Sequence, residues 1–294
     1  MLRRLLLGLI LVGAAGAASA FFLTRPGKID PERFAGLVGD VTRGETVYWA
    51  SGCASCHAAE GDEARTLLSG GYRLTSDFGT FVSPNISTHP EEGIGAWTLT
   101  DFANAVLQGT TPDGAHYYPS FPYGSYARMR DQDVADLWAF LQTLPGSDAP
   151  SQPHDLAFPF SIRMSVGGWK LFYLNDDYTG PGDTPELERG RYLVEALGHC
   201  AECHTPRDAL GGLDRTRWMA GAPNPSGKGK IPGLTPAQLD WSATDIAYYL
   251  ETGFTPDFDS AGGSMSSVVS NLANLAPEDR AAIAAYIKAL PAVE

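Results

Sequence analysis

The chain has 294 residues, a comfortable length for two domains of ordinary size, and its 44% hydrophobic and 19% charged residues exclude a disordered tail or a coiled coil. With 33 glycines and 21 prolines, it should be built from modest elements joined by many turns. Twenty-one basic residues against 34 acidic ones leave a net charge of −13, which excludes nucleic acid as a partner and suits proteins with basic docking surfaces.

In chain order, Arg3 and Arg4 come first, followed by an uncharged run of nineteen residues from Leu5 to Leu23. The run is long enough to span a bilayer. Its positive flank keeps the arginines cytoplasmic and sends the body of the chain to the periplasmic side. Ala18-Ser19-Ala20 fits a signal-peptidase site, and cleavage there would leave a soluble periplasmic protein. Because the apolar run continues through Phe21, Phe22 and Leu23, residues 1–25 read as a retained anchor in the inner membrane.

A first unit, 33–146, carries Cys53-Ala54-Ser55-Cys56-His57, a short helix from about Asp101 to Gln108, and a closing amphipathic helix through Val134, Leu137, Trp138 and Leu141. Asp131, Asp133 and Asp136 read as the solvated face of that last helix. Residues 147–183 are rich in Pro and Gly and read as a linker, with Phe158, Phe160, Trp169, Leu171 and Phe172 expected to pack across both units. The second unit, 184–294, carries Cys200-Ala201-Glu202-Cys203-His204, a helix from Asp245 to Thr252 and a closing helix through Ile283, Tyr286, Ile287 and Leu290. Sustained strand alternation is absent from the pattern.

The two units repeat one another. Trp97-Thr98-Leu99-Thr100-Asp101 leads to Gly109 and Pro112-Asp113, and Trp241-Ser242-Ala243-Thr244-Asp245 leads to Gly253 and Pro256-Asp257 at a constant offset of 144. Arg43-Gly44 and Arg189-Gly190 precede the two cysteine motifs, and Leu144-Pro145 and Leu290-Pro291 close the units. The chain is a tandem duplication.

All four cysteines belong to C-x-x-C-H pentapeptides, the signature of covalent c-type haem attachment. On a helical turn, i, i+3 and i+4 share a face, so two sulfurs reach the vinyl groups of one porphyrin while the histidine is directed at its iron. Zinc ribbons space their cysteine pairs by about 15–20 residues. Here 143 residues separate Cys56 from Cys200. The cofactors expected are two covalently bound haem c groups, with His57 and His204 on the irons.

The chain resembles the exported dihaem cytochromes c related to the cytochrome subunits of membrane-bound periplasmic dehydrogenases for alcohols and gluconate. The resemblance covers everything after the anchor. It rests on the two motifs, Asn85-Ile86-Ser87 with Gly93-Ile94-Gly95-Ala96-Trp97, Tyr118-Pro119-Ser120-Phe121-Pro122-Tyr123, Gly198-His199-Cys200 through Thr205-Pro206-Arg207, and Gly262-Gly263-Ser264-Met265. It implies an all-α fold, a tandem pair of cytochrome c-like domains after an N-terminal hydrophobic helix. Two departures stand out. Those subunits carry three haem motifs where this chain has two, and their usual methionine in the Tyr-Pro-x-x-Pro-Tyr segment is replaced by Phe121.

A thioether opposite histidine fills the sixth position and raises the potential. Met265, 61 residues after His204 in a Gly-rich loop, matches the family's ligand position for haem 2. The duplication offset places Phe121 at the equivalent position for haem 1, so Met129, eight residues on, is the candidate there. His116, His89 and an open five-coordinate iron are the alternatives. Met164 and Met219 read as packing residues, Arg207 as a partner for a haem propionate, and Trp97 and Trp241 as haem-edge or core residues. The Pro206 carbonyl is the expected acceptor for the second nitrogen of His204.

The leading function is electron carriage between a respiratory donor and an oxidase or another cytochrome, with no catalytic residues. A cytochrome subunit of a dehydrogenase or respiratory complex and a dihaem peroxidase are the alternatives.

Overall fold

The computed structural model describes residues 2–225 and 229–293. Helix α1 (Leu2–Thr24) exposes large apolar side chains such as Leu9, Ile10, Leu11 and Phe22 and is long and apolar enough to cross a membrane, and its C-terminal end packs against the folded body. The first half follows with α2 (Val41–Ala50), α3 (Cys53–His57), strands β1 (Arg73–Ser76) and β2 (Gly79–Val82), and helices α4 (Leu99–Gln108), α5 (Tyr123–Tyr126) and α6 (Asp131–Leu141). β3 (Asp155–Leu156) and α7 (Ser165–Tyr173) lie in the connection. The second half contains α8 (Pro185–Arg191), which runs on into a π turn at Tyr192–Leu197, then α9 (Ala201–His204), β4 (Ala222–Pro223), β5 (Lys230–Ile231), α10 (Ala243–Thr252), α11 (Ser264–Leu272) and α12 (Pro277–Ala289).

The duplicated sequence signals have duplicated geometry. Both α4 and α10 open with a capping box, Thr98 with Asp101 and Ser242 with Asp245, and so begin two residues before the expected aspartates. Both end on a left-handed glycine, Gly109 at φ 57° and Gly253 at φ 78°. The Arg-Gly pairs mark the tightest helix crossings. A Cβ on Gly44 would collide with the Asp136 carbonyl and lie 2.6 Å from its carbon, and one on Gly190 would meet the Ala282 carbonyl in the same way, 2.8 Å from its carbon. Thus α2 crosses α6, and α8 crosses α12, at backbone contact.

The arginine of each pair clamps the closing helix. Arg189 holds Asp279 through two hydrogen bonds of 2.7 and 2.8 Å. Arg43 Nε donates to Asp136 at 2.6 Å, and the Asp40 N–H and Gln132 side chain donate to the same carboxylate. This corrects the reading of the α6 acids as a solvated face. Asp136 is fully buried, Asp133 accepts from the Tyr192 hydroxyl, and Asp131 pairs with Arg33. The helix pattern suggested exposure because the partners come from 93 and 59 residues away.

Strands were invisible in the pattern because they are two to four residues long. β1, β2 and β3 form a small antiparallel sheet, with Leu74 opposite Phe81 and Gly79 opposite Leu156, and β4 pairs with β5. The connection therefore joins the first half's sheet before it reaches α7. There Lys170 donates to the Gln108 and Gly109 carbonyls of the first half, and Tyr173 donates to Asp208 of the second. Trp169 stacks edge-on to Tyr123. Phe160 lies edge-on to Phe78 of the first half at 4.9 Å, whereas, against expectation, Phe158 is 81% and Phe172 78% exposed and Leu171 is also exposed. Val166 and Gly167 form the buried face of α7; Leu171, four residues after Gly167, stays on that face beside Leu23 and Thr24, whereas Phe172 points the other way.

One hydrophobic core runs through both halves. It joins Val47, Tyr48, Leu137 and Met129 to Leu193, Ile283 and Tyr286. The two halves consequently pack as one body across a shared apolar seam.

Candidate haem sites

Each C-x-x-C-H motif sits on a single helical turn entered from a buried helix. Gly52, left-handed at φ 66°, turns the chain from α2 into α3, and the π turn at Tyr192–Leu197 leads into α9. Cys53 and Cys200 are half-buried, Cys56 and Cys203 are exposed, and all four thiols are unpaired. Burial pushes Cys53 and Cys200 up to about 12, so both are neutral thiols before attachment.

The histidines are held identically. His57 Nδ1 lies 2.8 Å from the Pro84 carbonyl, and His204 Nδ1 lies 2.8 Å from the Pro232 carbonyl. A carbonyl can only accept, so each Nδ1 carries the proton and each Nε2 carries the lone pair. Burial also pushes both imidazoles below their usual range, which keeps them neutral and able to ligate. The acceptor of His204 is therefore Pro232, not Pro206, whose carbonyl instead accepts from Asp214 N–H.

Two glycines let those prolines come so close. Gly70 N–H donates to the His57 carbonyl and Gly221 N–H to the His204 carbonyl, each at 2.8 Å, with φ of 73° and 79°. A Cβ on Gly70 would lie 2.5 Å from the Pro84 carbon and 2.6 Å from the Ser83 oxygen. A Cβ on Gly221 would lie 2.8 Å from both the Gly233 nitrogen and the Ile231 oxygen. These four residues were missed at the level of sequence. The signal was there in Pro84-x-Ile86-Ser87 and Pro232-x-Leu234-Thr235, equally spaced from one another by 148, with Ser87 and Thr235 both buried.

Each attachment helix is touched by the other half across the seam. Asn271 on α11 donates to Ser55 of the first motif at 2.8 Å, and Arg65 donates to Ser267 at 2.7 Å. From the other side, Tyr126 on α5 stacks edge-on to His199 with ring centroids 5.7 Å apart and donates to the Ser51 carbonyl at 2.6 Å. Ser125 donates to Glu202 inside the second motif at 3.2 Å. Each half thus lays its loop before the closing helix, the loop bearing Met129 or Met265, beside the cysteine motif of the other half.

With this geometry in view, the comparisons with known proteins are decisive. The cytochrome c family model matches residues 41–145 and again 187–291. The chain belongs to the cytochrome c family. It is 62% identical over its whole length to a "Diheme cytochrome c-type" protein of Cereibacter sphaeroides, of which it also covers 100%. It is 38% identical over 86% of its length to the fructose dehydrogenase cytochrome subunit of Gluconobacter japonicus, and 34% identical over 86% to the cytochrome c subunit of the quinone alcohol dehydrogenase of Gluconobacter oxydans. It spans 53% and 55% of those two subunits, about half of each. The protein is a dihaem c-type cytochrome with two tandem helical domains, and both sites fit a haem c: paired neutral thiols one turn apart and a neutral imidazole with its Nε2 lone pair set by the pinned Nδ1.

In this cytochrome, Met265 is half-buried and lies in the first turn of α11, not in an open loop, because the chain becomes helical at Ser264. Met129 is 3% exposed in the shared core, three residues after Tyr126, whose hydroxyl donates to the Ser51 carbonyl just before the first motif. Phe121 packs against Tyr117, Tyr123 and Tyr126. His116 Nε2 meets the Thr24 carbonyl at 2.8 Å, and His89 Nδ1 accepts from the Glu91 and Glu92 N–H groups, so each alternative histidine already has a structural use. Met219 is fully buried, as a packing residue is, whereas Met164 is 59% exposed at the start of α7 and packs nothing. Arg207 is tied to Glu202 and to the Gly211 carbonyl. Trp97 and Trp241 are half-buried against the core, each immediately before a capping box, with Trp241 edge-on to Tyr249 at 5.2 Å.

Proposed function

We propose that this dihaem cytochrome is a membrane-anchored periplasmic electron carrier, with Met129 and Met265 as the sixth ligands of haem 1 and haem 2. When bound, each haem supplies an iron that cycles between ferrous and ferric. The protein's part would be to hold each iron with a histidine and a methionine of this chain. His57 and His204, kept basic at Nε2 by donating from Nδ1, provide the proximal bond. A methionine sulfur on the far side raises the potential and excludes small exogenous ligands.

The observation that carries the reading is the seam between the motifs. Tyr126 against His199 and Asn271 against Ser55 tie each attachment region to the other half, an arrangement useful for moving charge between two centres and needless for two independent ones. The net charge of −13 favours donors and acceptors with basic docking surfaces. A second reading, a cytochrome subunit of a periplasmic dehydrogenase, draws support from the relatives that are such subunits.

The test is rapid-mixing electron transfer with the full chain in nanodiscs. A carrier oxidises a reduced donor and passes the electrons to an oxidised basic cytochrome, with a rate that falls as salt rises. A chain that exchanges electrons only when a catalytic dehydrogenase subunit is bound supports the second reading instead.

A further inference from the structure

The connection between the two domains exposes six large apolar side chains in fifteen residues: Phe158, Phe160, Ile162, Met164, Leu171 and Phe172. Exposed apolar surface of this density marks an interaction site. Its position identifies the partner. Helix α7 packs on the end of α1 so closely that a Cβ on Gly167 would collide with the Thr24 carbonyl and lie 2.8 Å from His116 Nε2. His116 Nε2 donates to the same Thr24 carbonyl, fixing the exit of α1 from the folded body.

The anchor length then sets the depth. From Leu5 to Leu23 an α-helix rises about 27 Å, close to the roughly 30 Å hydrocarbon thickness of a bilayer. Leu23 and Thr24 therefore sit at the outer boundary of the lipid, and α7, touching Thr24, sits there too. Charge agrees with this placement. The chain carries 34 acidic residues, yet none falls within 1–29 or 156–175, and the exposed charges beside the exit of α1 are the positive Arg25 and Lys28. An apolar surface with a basic border is what an anionic lipid interface receives.

We infer that residues 158–172 dock into the outer leaflet of the bilayer beside the anchor, so that the haem domains lie down on the membrane in one fixed orientation. This rests on the reading of α1 as a retained anchor. Phe158, Leu171 and Phe172 enter the acyl boundary, and the exposed Arg25 and Lys28 meet phosphate headgroups.

The test uses the full chain in liposomes of zwitterionic and anionic phospholipid containing a photoactivatable phospholipid, with adducts mapped by mass spectrometry and the mature N-terminus read in parallel. Lipid adducts within both α1 and 158–172, with the second set lost in the F158S/L171S/F172S variant while both haem spectra stay intact, are the expected result. Adducts in α1 alone overturn the docking and leave the anchor standing. Adducts in 158–172 on a chain whose mature terminus is Phe21 leave the docking standing and overturn the anchor. A segment that takes no lipid in liposomes but cross-links to a co-isolating protein in native membranes is a protein-docking face, and the inference fails.

Discussion

Gly70→Ala should disturb haem 1 through a residue that touches neither haem nor iron. Gly70 sits at φ 73°, a conformation that costs a residue with a Cβ roughly 1–2 kcal/mol. The added methyl would lie 2.5 Å from the Pro84 carbon and 2.6 Å from the Ser83 oxygen, and because both obstacles are backbone, the segment must move. Overpacking of this kind costs about 1–3 kcal/mol, so the combined loss is roughly 2–5 kcal/mol. The moving atom is the acceptor of His57 Nδ1–H. A lengthened bond leaves the imidazole a weaker donor to iron, and the potential of haem 1 should rise while that of haem 2 stays fixed. Gly114→Ala separates the two causes: φ is 83° there and nothing lies within 4 Å, so only the strain of about 1–2 kcal/mol applies. Denaturant unfolding followed at the Soret band, with a potentiometric titration of each variant, reads both effects. If Gly70→Ala is no more destabilised than Gly114→Ala, or if haem 2 is the centre that moves, the account of the proximal site is wrong.

Replacing Met129 with Leu should convert one haem of two to a carbon monoxide-binding form, and Met265→Leu should do the same to the other; a wild-type protein that binds carbon monoxide readily at one haem contradicts the Met129 assignment. Asp136→Asn should cost about 1–3 kcal/mol at neutral pH by removing the charge opposite Arg43 and replacing one of the buried carboxylate oxygens that accept from Arg43 and the Asp40 N–H with an NH2 donor. Although burial opposes it, the bonds from Arg43, Asp40 and Gln132 hold the Asp136 carboxyl below the usual range, so its contribution is present above about pH 4 and is lost as pH falls through the lowered value. The difference between variant and wild type should close in acid, and urea unfolding at both ends of that window checks it. N-terminal sequencing of the membrane-isolated protein should find α1 retained; a terminus at Phe21 contradicts the anchor.

The haem chemistry was legible because covalent attachment needs two cysteines and a histidine at fixed spacing, and the duplication wrote that spacing twice. Helices with local caps, such as Thr98 with Asp101, could be read from neighbours in sequence. What escaped notice depends on distant backbone. The Pro84 and Pro232 carbonyls have no side-chain signature, although the repeat of Pro-x-Ile/Leu-Ser/Thr marks them once the units are aligned. Asp136 looked solvent-facing because its partner Arg43 comes from the opposite end of the domain. The linker aromatics read as core by composition, but whether Phe172 faces protein or lipid is set by which side of α7 meets α1.

The central claim is that both irons carry histidine and methionine and serve only to pass electrons. Near-infrared magnetic circular dichroism of the oxidised full-length protein, with haem content measured on the same sample, tests it directly, since a thioether on ferric low-spin haem gives a distinct charge-transfer band. The account predicts two such irons per chain, with the band halved in Met129→Leu. One thioether-ligated iron beside a high-spin or bis-histidine partner would contradict it.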